Sequence, residues 1–267
     1  MMWTTLALAA AVGMAPAQAG DLTLSHVRST HGVLGPTRAE DKLLPGDSLV
    51  VCFDIGGMVA DDSGKVSYSM GLEVTDGDGK SLFTQEPANL EATASLGGDT
   101  VPAFARIDVG LSQSPGEHTL KVNVLDRATG RKAALTRKFT VLPKGFGLVR
   151  LALTADVGGD IPLPVLGSGG TAFVQFGAVG FGRDKDSKQP NLRFSVRVLD
   201  DKGKPTVAKD RTSEVTKDVP ASFLAVPMSF PVTLNRPGKF TVELTATDGT
   251  TRETAKLTFP IKVLTAD

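Results

Sequence analysis

Apolar and polar residues alternate along most of this chain with a period of two. Leu120, Val122 and Val124 are interleaved with Lys121 and Asn123. Val242, Leu244 and Ala246 are interleaved with Thr241 and Glu243. Successive strand residues point to opposite faces, so this pattern predicts half-buried strands. The same alternation gives Val51, Phe53 and Ile55; Met70, Leu72 and Val74; and Leu135, Phe139 and Val141. In residues 20–144 it predicts about seven strands, near 22–28, 47–56, 66–75, 80–85, 103–111, 118–126 and 133–142. Asn89–Leu96 is the single helix candidate.

The pattern is written twice. Pro115–Leu142 aligns with Pro237–Leu264 without a gap at an offset of 122. Gly71–Lys80 aligns with Ser195–Lys204 at 124, and Gly46–Phe53 with Gly169–Phe176 at 123. Ile107, Val109 and Leu111 are matched to Phe230, Val232 and Leu234. A duplication with small loop changes predicts two modules, 20–144 and 145–267, divided at the Leu142–Gly147 linker. Internal self-similarity of this kind governs the architecture.

Turn signals punctuate the strands. Asp76-Gly-Asp-Gly and Asp200-Asp-Lys-Gly read as hairpins. Pro115-Gly116 and Pro237-Gly238 fit a type II turn. Seven short alternating strands per module predict an all-β fold of two tandem seven-stranded sandwiches. The segment Pro237 to Asp248 resembles the F strand of immunoglobulin-like and fibronectin type III-like domains, and is similar to repeats of many exported bacterial proteins. Phe240 and His118 stand where that family often carries a corner tyrosine. The disulfide and tryptophan of antibody domains are missing, since one cysteine cannot form an internal bridge.

Residues 1–19 read as an export signal. Leu6 to Ala15 is an apolar run too short for a bilayer, which needs about 20 residues. Ala17-Gln18-Ala19 supplies an A-x-A cleavage pattern. The expected location is secreted or periplasmic. Basic and acidic residues number 29 each, which argues against a nucleic-acid footprint. The two modules carry −3 and +3. Trp3 and Tyr68 are the sole tryptophan and tyrosine, so the usual anchors of binding surfaces are scarce.

Candidate chemistry is thin. Gly46-Asp47-Ser48-Leu49 spells the GDSL signature of serine esterases, but its apolar run follows the serine, which makes it a turn entering a strand. Asp76–Lys80 superficially resembles a calcium loop and lacks the distant glutamate of one. His26 and His31, with Glu40 and Asp41 nearby, have no metal-site spacing, and His118 stands apart. Cys52 is expected as a free thiol half-covered by a loop or the other module, with a disulfide between two chains as the alternative for an odd cysteine in an exported protein. No catalytic residue, metal site or cofactor is assigned, and no binding residue is singled out. The expectation is a non-enzymatic binding or spacer protein, not membrane-embedded, meeting a protein partner through strand edges or the stretches Ser29–Asp47, Glu86–Thr100, Asp156–Gly170 and Pro205–Ser222. A carbohydrate-binding accessory module is the alternative. Pro260 is expected on an exposed edge or a bulge.

Overall fold

The computed structural model describes residues 21–265. The expected export signal, 1–19, lies outside the described residues. The described residues form strands and turns with no α-helix. The strands of the N-terminal half are β1 (Thr23–Thr30), β2 (Lys42–Leu43), β3 (Ser48–Gly56), β4 (Lys65–Asp76), β5 (Ser81–Thr93), β6 (Val101–Asp108), β7 (Gly116–Asp126) and β8 (Lys132–Val141). Those of the C-terminal half are β9 (Gly147–Thr154), β10 (Leu166–Gly167), β11 (Thr171–Val179), β12 (Leu192–Leu199), β13 (Arg211–Val215), β14 (Ala225–Thr233), β15 (Gly238–Asp248) and β16 (Thr254–Leu264).

Each half pairs a three-stranded sheet with a five-stranded one. The orders are β1-β3-β6 with β2-β8-β7-β4-β5, and β9-β11-β14 with β10-β16-β15-β12-β13. All pairings are antiparallel except β2 on β8 and β10 on β16. Two hydrophobic cores result, a sandwich-like arrangement. Phe53, Leu49, Leu120 and Val122 fill the first, and Phe194, Leu192, Leu244 and Phe259 the second. The period-two residues supply both interiors: β7 buries His118, Leu120, Val122, Val124 and Asp126 in alternation. Each fully buried large apolar side chain contributes about 1.5–3 kcal/mol through removal from water.

The structure differs from the sequence expectations at four points. Asn89–Leu96 is not helical, because β5 runs through to Thr93 and pairs Asn89 with Ser69 and Glu91 with Ser67. Its Thr- and Asn-bearing run satisfies its backbone on β4 instead. Among the described residues each half has eight strands, not seven. The additional β2 and β10 are two residues long, too short to show periodicity. The match of Ile107 to Phe230 is wrong by two residues. Leu49 pairs with Ile107 and its counterpart Ala172 with Val232. Gly46 N–H donates to Val109 O at 2.9 Å and Gly169 N–H to Leu234 O at 2.7 Å, so Val109 corresponds to Leu234. A slip of two keeps every side chain on its face, so alternation alone cannot detect it. Cys52, finally, is not half-covered but 1% exposed.

Prolines fall where a missing N–H costs nothing. Pro87, Pro102, Pro227 and Pro231 sit on the edge strands β5, β6 and β14. Pro260 pairs with Thr241 of β15, while β10 covers only Val263 and Leu264 on its other side. It therefore faces an open edge, as expected. One feature of both halves had no sequence signal. The ladder of β1 is broken by a bulge at His26 and that of β9 by a bulge at Arg150. Both residues adopt left-handed backbone, φ 50° and 55°.

The halves meet along a polar seam. Asp47, at the turn entering β3, accepts from Ser48 N–H at 2.8 Å, from Arg38 Nη2 at 2.9 Å and from Arg150 N–H at 2.7 Å. Arg150 Nε returns a bond to Gly46 O at 2.9 Å. Beside it Gly32 lies so close to Ala152 that any Cβ would come within 2.7 Å of the alanine methyl. Gly147 is similarly closed by Leu44. His31 is buried with its ring 6.4 Å from that of Phe259. Burial, with the Arg38 cation adding to it, pushes His31 down to about 3.

Candidate functional site

The residues with chemical potential are dispersed among separate structural roles. Ser48 Oγ donates to Asp108 Oδ1 at 2.6 Å, across the β3–β6 ladder, at the turn its sequence context predicted. Among the described residues no histidine is hydrogen-bonded to it. The Asp76 carboxylate accepts the N–H groups of Asp78 and Lys80, and Asp200 accepts those of Lys202 and Lys204. Both are hairpin turns whose carboxylates close their own backbone. Among the described residues no three or more His, Cys, Asp or Glu side chains cluster as a metal site would require.

The histidines have separate partners. His26 is exposed and 2.9 Å from Asp54 Oδ2. His118 is buried and stacked on Phe139, centroids 5.3 Å apart. Its Nδ1–H donates to Gly116 O at 3.0 Å, which leaves Nε2 to accept from Gln113 Nε2 at 3.2 Å. Glu40 pairs with Lys42 and Asp41 with Arg137. Cys52 lies between Arg28 and Phe104 on neighbouring strands, its sulfur 3.4 Å from Thr30 Oγ1. Gln175, in the corresponding place of the C-terminal half, donates to Thr154 Oγ1 at 3.1 Å.

The surface offers two features that the sequence reading did not single out. The first is β5. It forms the outer edge of its five-stranded sheet, spans 13 residues, and is exposed along nearly its whole length. The strand in the corresponding place, β13, has five residues. Leu82 and Phe83 stand 42% and 47% exposed near the start of β5. Natural sheets usually shorten, charge or cover such an edge. Here Pro87 interrupts its middle, opposite the irregularity at Gly71. The signal was visible: two consecutive large apolar residues in a period-two strand must leave one on the outer face.

The second feature is a cleft at the open side of each sandwich, in the same place in both halves. In the N-terminal half Val74, Phe83, Ile107, His118, Phe139 and Val141 line it, with a volume of about 450 Å³. In the C-terminal half Val198, Val232, Phe240, Ile261 and Val263 take the corresponding positions, with a volume of about 260 Å³. Both are apolar clefts with a few polar groups at the mouth, the usual constitution of a small ligand site. The charge at the mouth differs. Arg106 is paired with Asp108 at 3.0 Å in the first. The second is rimmed by Arg211 and Arg236, whose guanidinium lies 4.9 Å from the Phe240 ring centre. Neither cleft is legible in the sequence, because each is a gap between strands distant in the chain.

No family model matches the sequence, and no curated protein matches it significantly. Solved structures resemble it distantly. The alkylpurine DNA glycosylase AlkC of Pseudomonas fluorescens, bound to DNA containing an abasic site analog, aligns at 10% identity and a TM-score of 0.31, over 46% of this chain and 31% of that one. Red sea bream transglutaminase aligns at 8% identity and 0.29, over 92% and 31%. The chain thus spans about a third of the length of each. The C-terminal domain of the AgI/II polypeptide BspA of Streptococcus agalactiae aligns at 8% identity and 0.29, over 88% and 99%. At these scores the likenesses speak for no activity, and the all-β, sandwich-like form rests on the chain's own strands and sheets.

Proposed function

We propose that the protein is an exported, non-enzymatic binding module built from two immunoglobulin-like sandwiches, 20–144 and 145–267, and that it takes an extended strand of a protein partner along β5. The observation that carries this reading is the 13-residue exposed edge, against five residues at the corresponding place. An added strand satisfies the outward N–H and C=O groups of β5, which gives affinity, and the adjoining cleft accepts alternate side chains, which gives selectivity. The registers shared by the two halves support a common origin as tandem repeats. The Ala17-Gln18-Ala19 pattern supports export.

The carbohydrate alternative loses ground on one residue. Tyr68 is buried in the first core, so among the described residues no tyrosine or tryptophan is free to stack on a sugar ring. The strand-addition reading is tested by capturing partners from the exported fraction with the wild-type protein and with Leu82→Lys and Phe83→Lys. The expected result is loss of the captured protein in both variants, and amide-exchange protection confined to 81–93 in the complex. Binding untouched by either variant, or protection elsewhere, refutes it.

A further inference from the structure

The C-terminal cleft carries a charge arrangement that its counterpart lacks. Its floor is Phe240, its walls are Val196, Val232 and Leu234, and its mouth holds two arginines. Arg211 spans the opening, with Nη1 donating to Pro231 O at 2.6 Å, which leaves its other donors free of any side-chain bond. The Arg236 guanidinium lies over the Phe240 ring. No carboxylate lies within ion-pair distance of either arginine among the described residues. The two neighbouring acids make their hydrogen bonds to other groups. Asp210 holds Arg197 through two bonds of 2.8 and 3.0 Å, and Asp200 Oδ1 accepts the N–H groups of Lys204 and Lys202, which hold its carboxyl low with a smaller contribution from the Arg236 charge. In the other half the corresponding mouth is neutralised, because Asp108 pairs with Arg106 and also accepts from Ser48.

An apolar floor beneath guanidinium groups that no carboxylate bonds directly selects for a ligand with one apolar end and one anionic end. The apolar end gains from leaving water, and the anion gains a charge-assisted, potentially bidentate partner at the rim. A volume of about 260 Å³ falls just below the roughly 300–1,000 Å³ of drug-sized sites, which suits one short chain or ring. We propose that this cleft is a binding site for a small anionic amphiphile, such as a medium-chain carboxylate, with Phe240 and the valines holding the apolar part and Arg236 and Arg211 the anion. The proposal is independent of strand addition at β5, and either can fail alone.

Octanoate and its uncharged analogue octanol are titrated into the protein, with binding followed by backbone amide shifts. Octanoate is expected to move the amides of Val232, Leu234 and Phe240 while leaving those around His118 and Phe139 in place. Octanol, and octanoate with Arg236→Gln, are expected to bind about tenfold or more weakly, the worth of one charged hydrogen bond. Arg236→Lys should recover part of the loss, and an unchanged spectrum away from the cleft shows that each variant is folded. Equal affinity for octanol, indifference to Arg236→Gln, equal response in the two clefts, or no shift at all overturns the proposal.

Discussion

Two single residues report on the interior. His31 is buried at the seam and held near 3, whereas an ordinary histidine titrates at 6.5. Below pH 6.5 the unfolded chain takes up a proton that the folded chain refuses, so stability is complete above that pH and falls as pH drops toward about 3. The slope approaches about 1.4 kcal/mol per pH unit. Urea midpoints are expected to fall between pH 7 and pH 5, and the fall should flatten in His31→Leu. That window lies above the range of Asp61, Asp108 and Asp126. For Asp126 burial alone would raise the carboxyl, yet bonds from Thr129, the Ala128 N–H and Arg131 together hold it low. Cys52 gives a second test. Sealed at 1% exposure, it should resist a thiol reagent in the native protein and react with one equivalent once guanidinium unfolds the chain. Prompt reaction of the native protein would contradict the burial.

At the scale of elements, much was legible from the chain alone. Strands that bury one face announce themselves by alternation, which is why β3, β4, β7 and β8 fall within two residues of their expected limits. What escaped has physical causes. The Asn89–Thr93 end of β5 does alternate, with Leu90 and Ala92 packing against the first core, but five residues rich in the helix formers Leu, Glu and Ala are too few for the period to separate strand from helix. The bulges at His26 and Arg150 carry no glycine, asparagine or aspartate that would mark their positive φ in the sequence. His26→Gly is expected to be tolerated or slightly stabilising, since it removes left-handed strain of order 1 kcal/mol. Thermal melts of Arg150→Gly would nonetheless show a net loss, because that side chain also bonds Gly46 O.

At the scale of the molecule, the seam and the two cores decide how the halves behave. Asp47→Ala removes the acceptor shared by Arg38 and Arg150 and strands a buried guanidinium, at a cost of about 3–5 kcal/mol. It is expected to let the halves reorient, seen as a broadened distance distribution in small-angle scattering. An unchanged distribution would mean that the apolar contacts at Gly32 and Gly147 suffice. The cores share no residue. Phe194→Ala, at about 3–5 kcal/mol, should therefore lower one calorimetric transition and leave a second near its original temperature. None of the seam was visible beforehand. Asp47 looked like part of a turn, and its partner Arg150 lies in a strand 103 residues away.

The two short parallel pairs, β2 on β8 and β10 on β16, have a mechanical meaning. The chain enters β2 from the N-terminal side and leaves β8 toward the linker, and β10 and β16 repeat that route. When β1 has yielded, tension along the chain drags the two strands of a parallel pair past each other lengthwise. Their bonds, Thr140 N–H to Asp41 O and Leu142 N–H to Leu43 O at 2.8 Å, and Ser168 N–H to Leu264 O at 2.9 Å, are then loaded together and not one after another. Tethered between two anchors, such a chain would hold its length under load up to a threshold and then give way half by half, like a fuse in series with its neighbour.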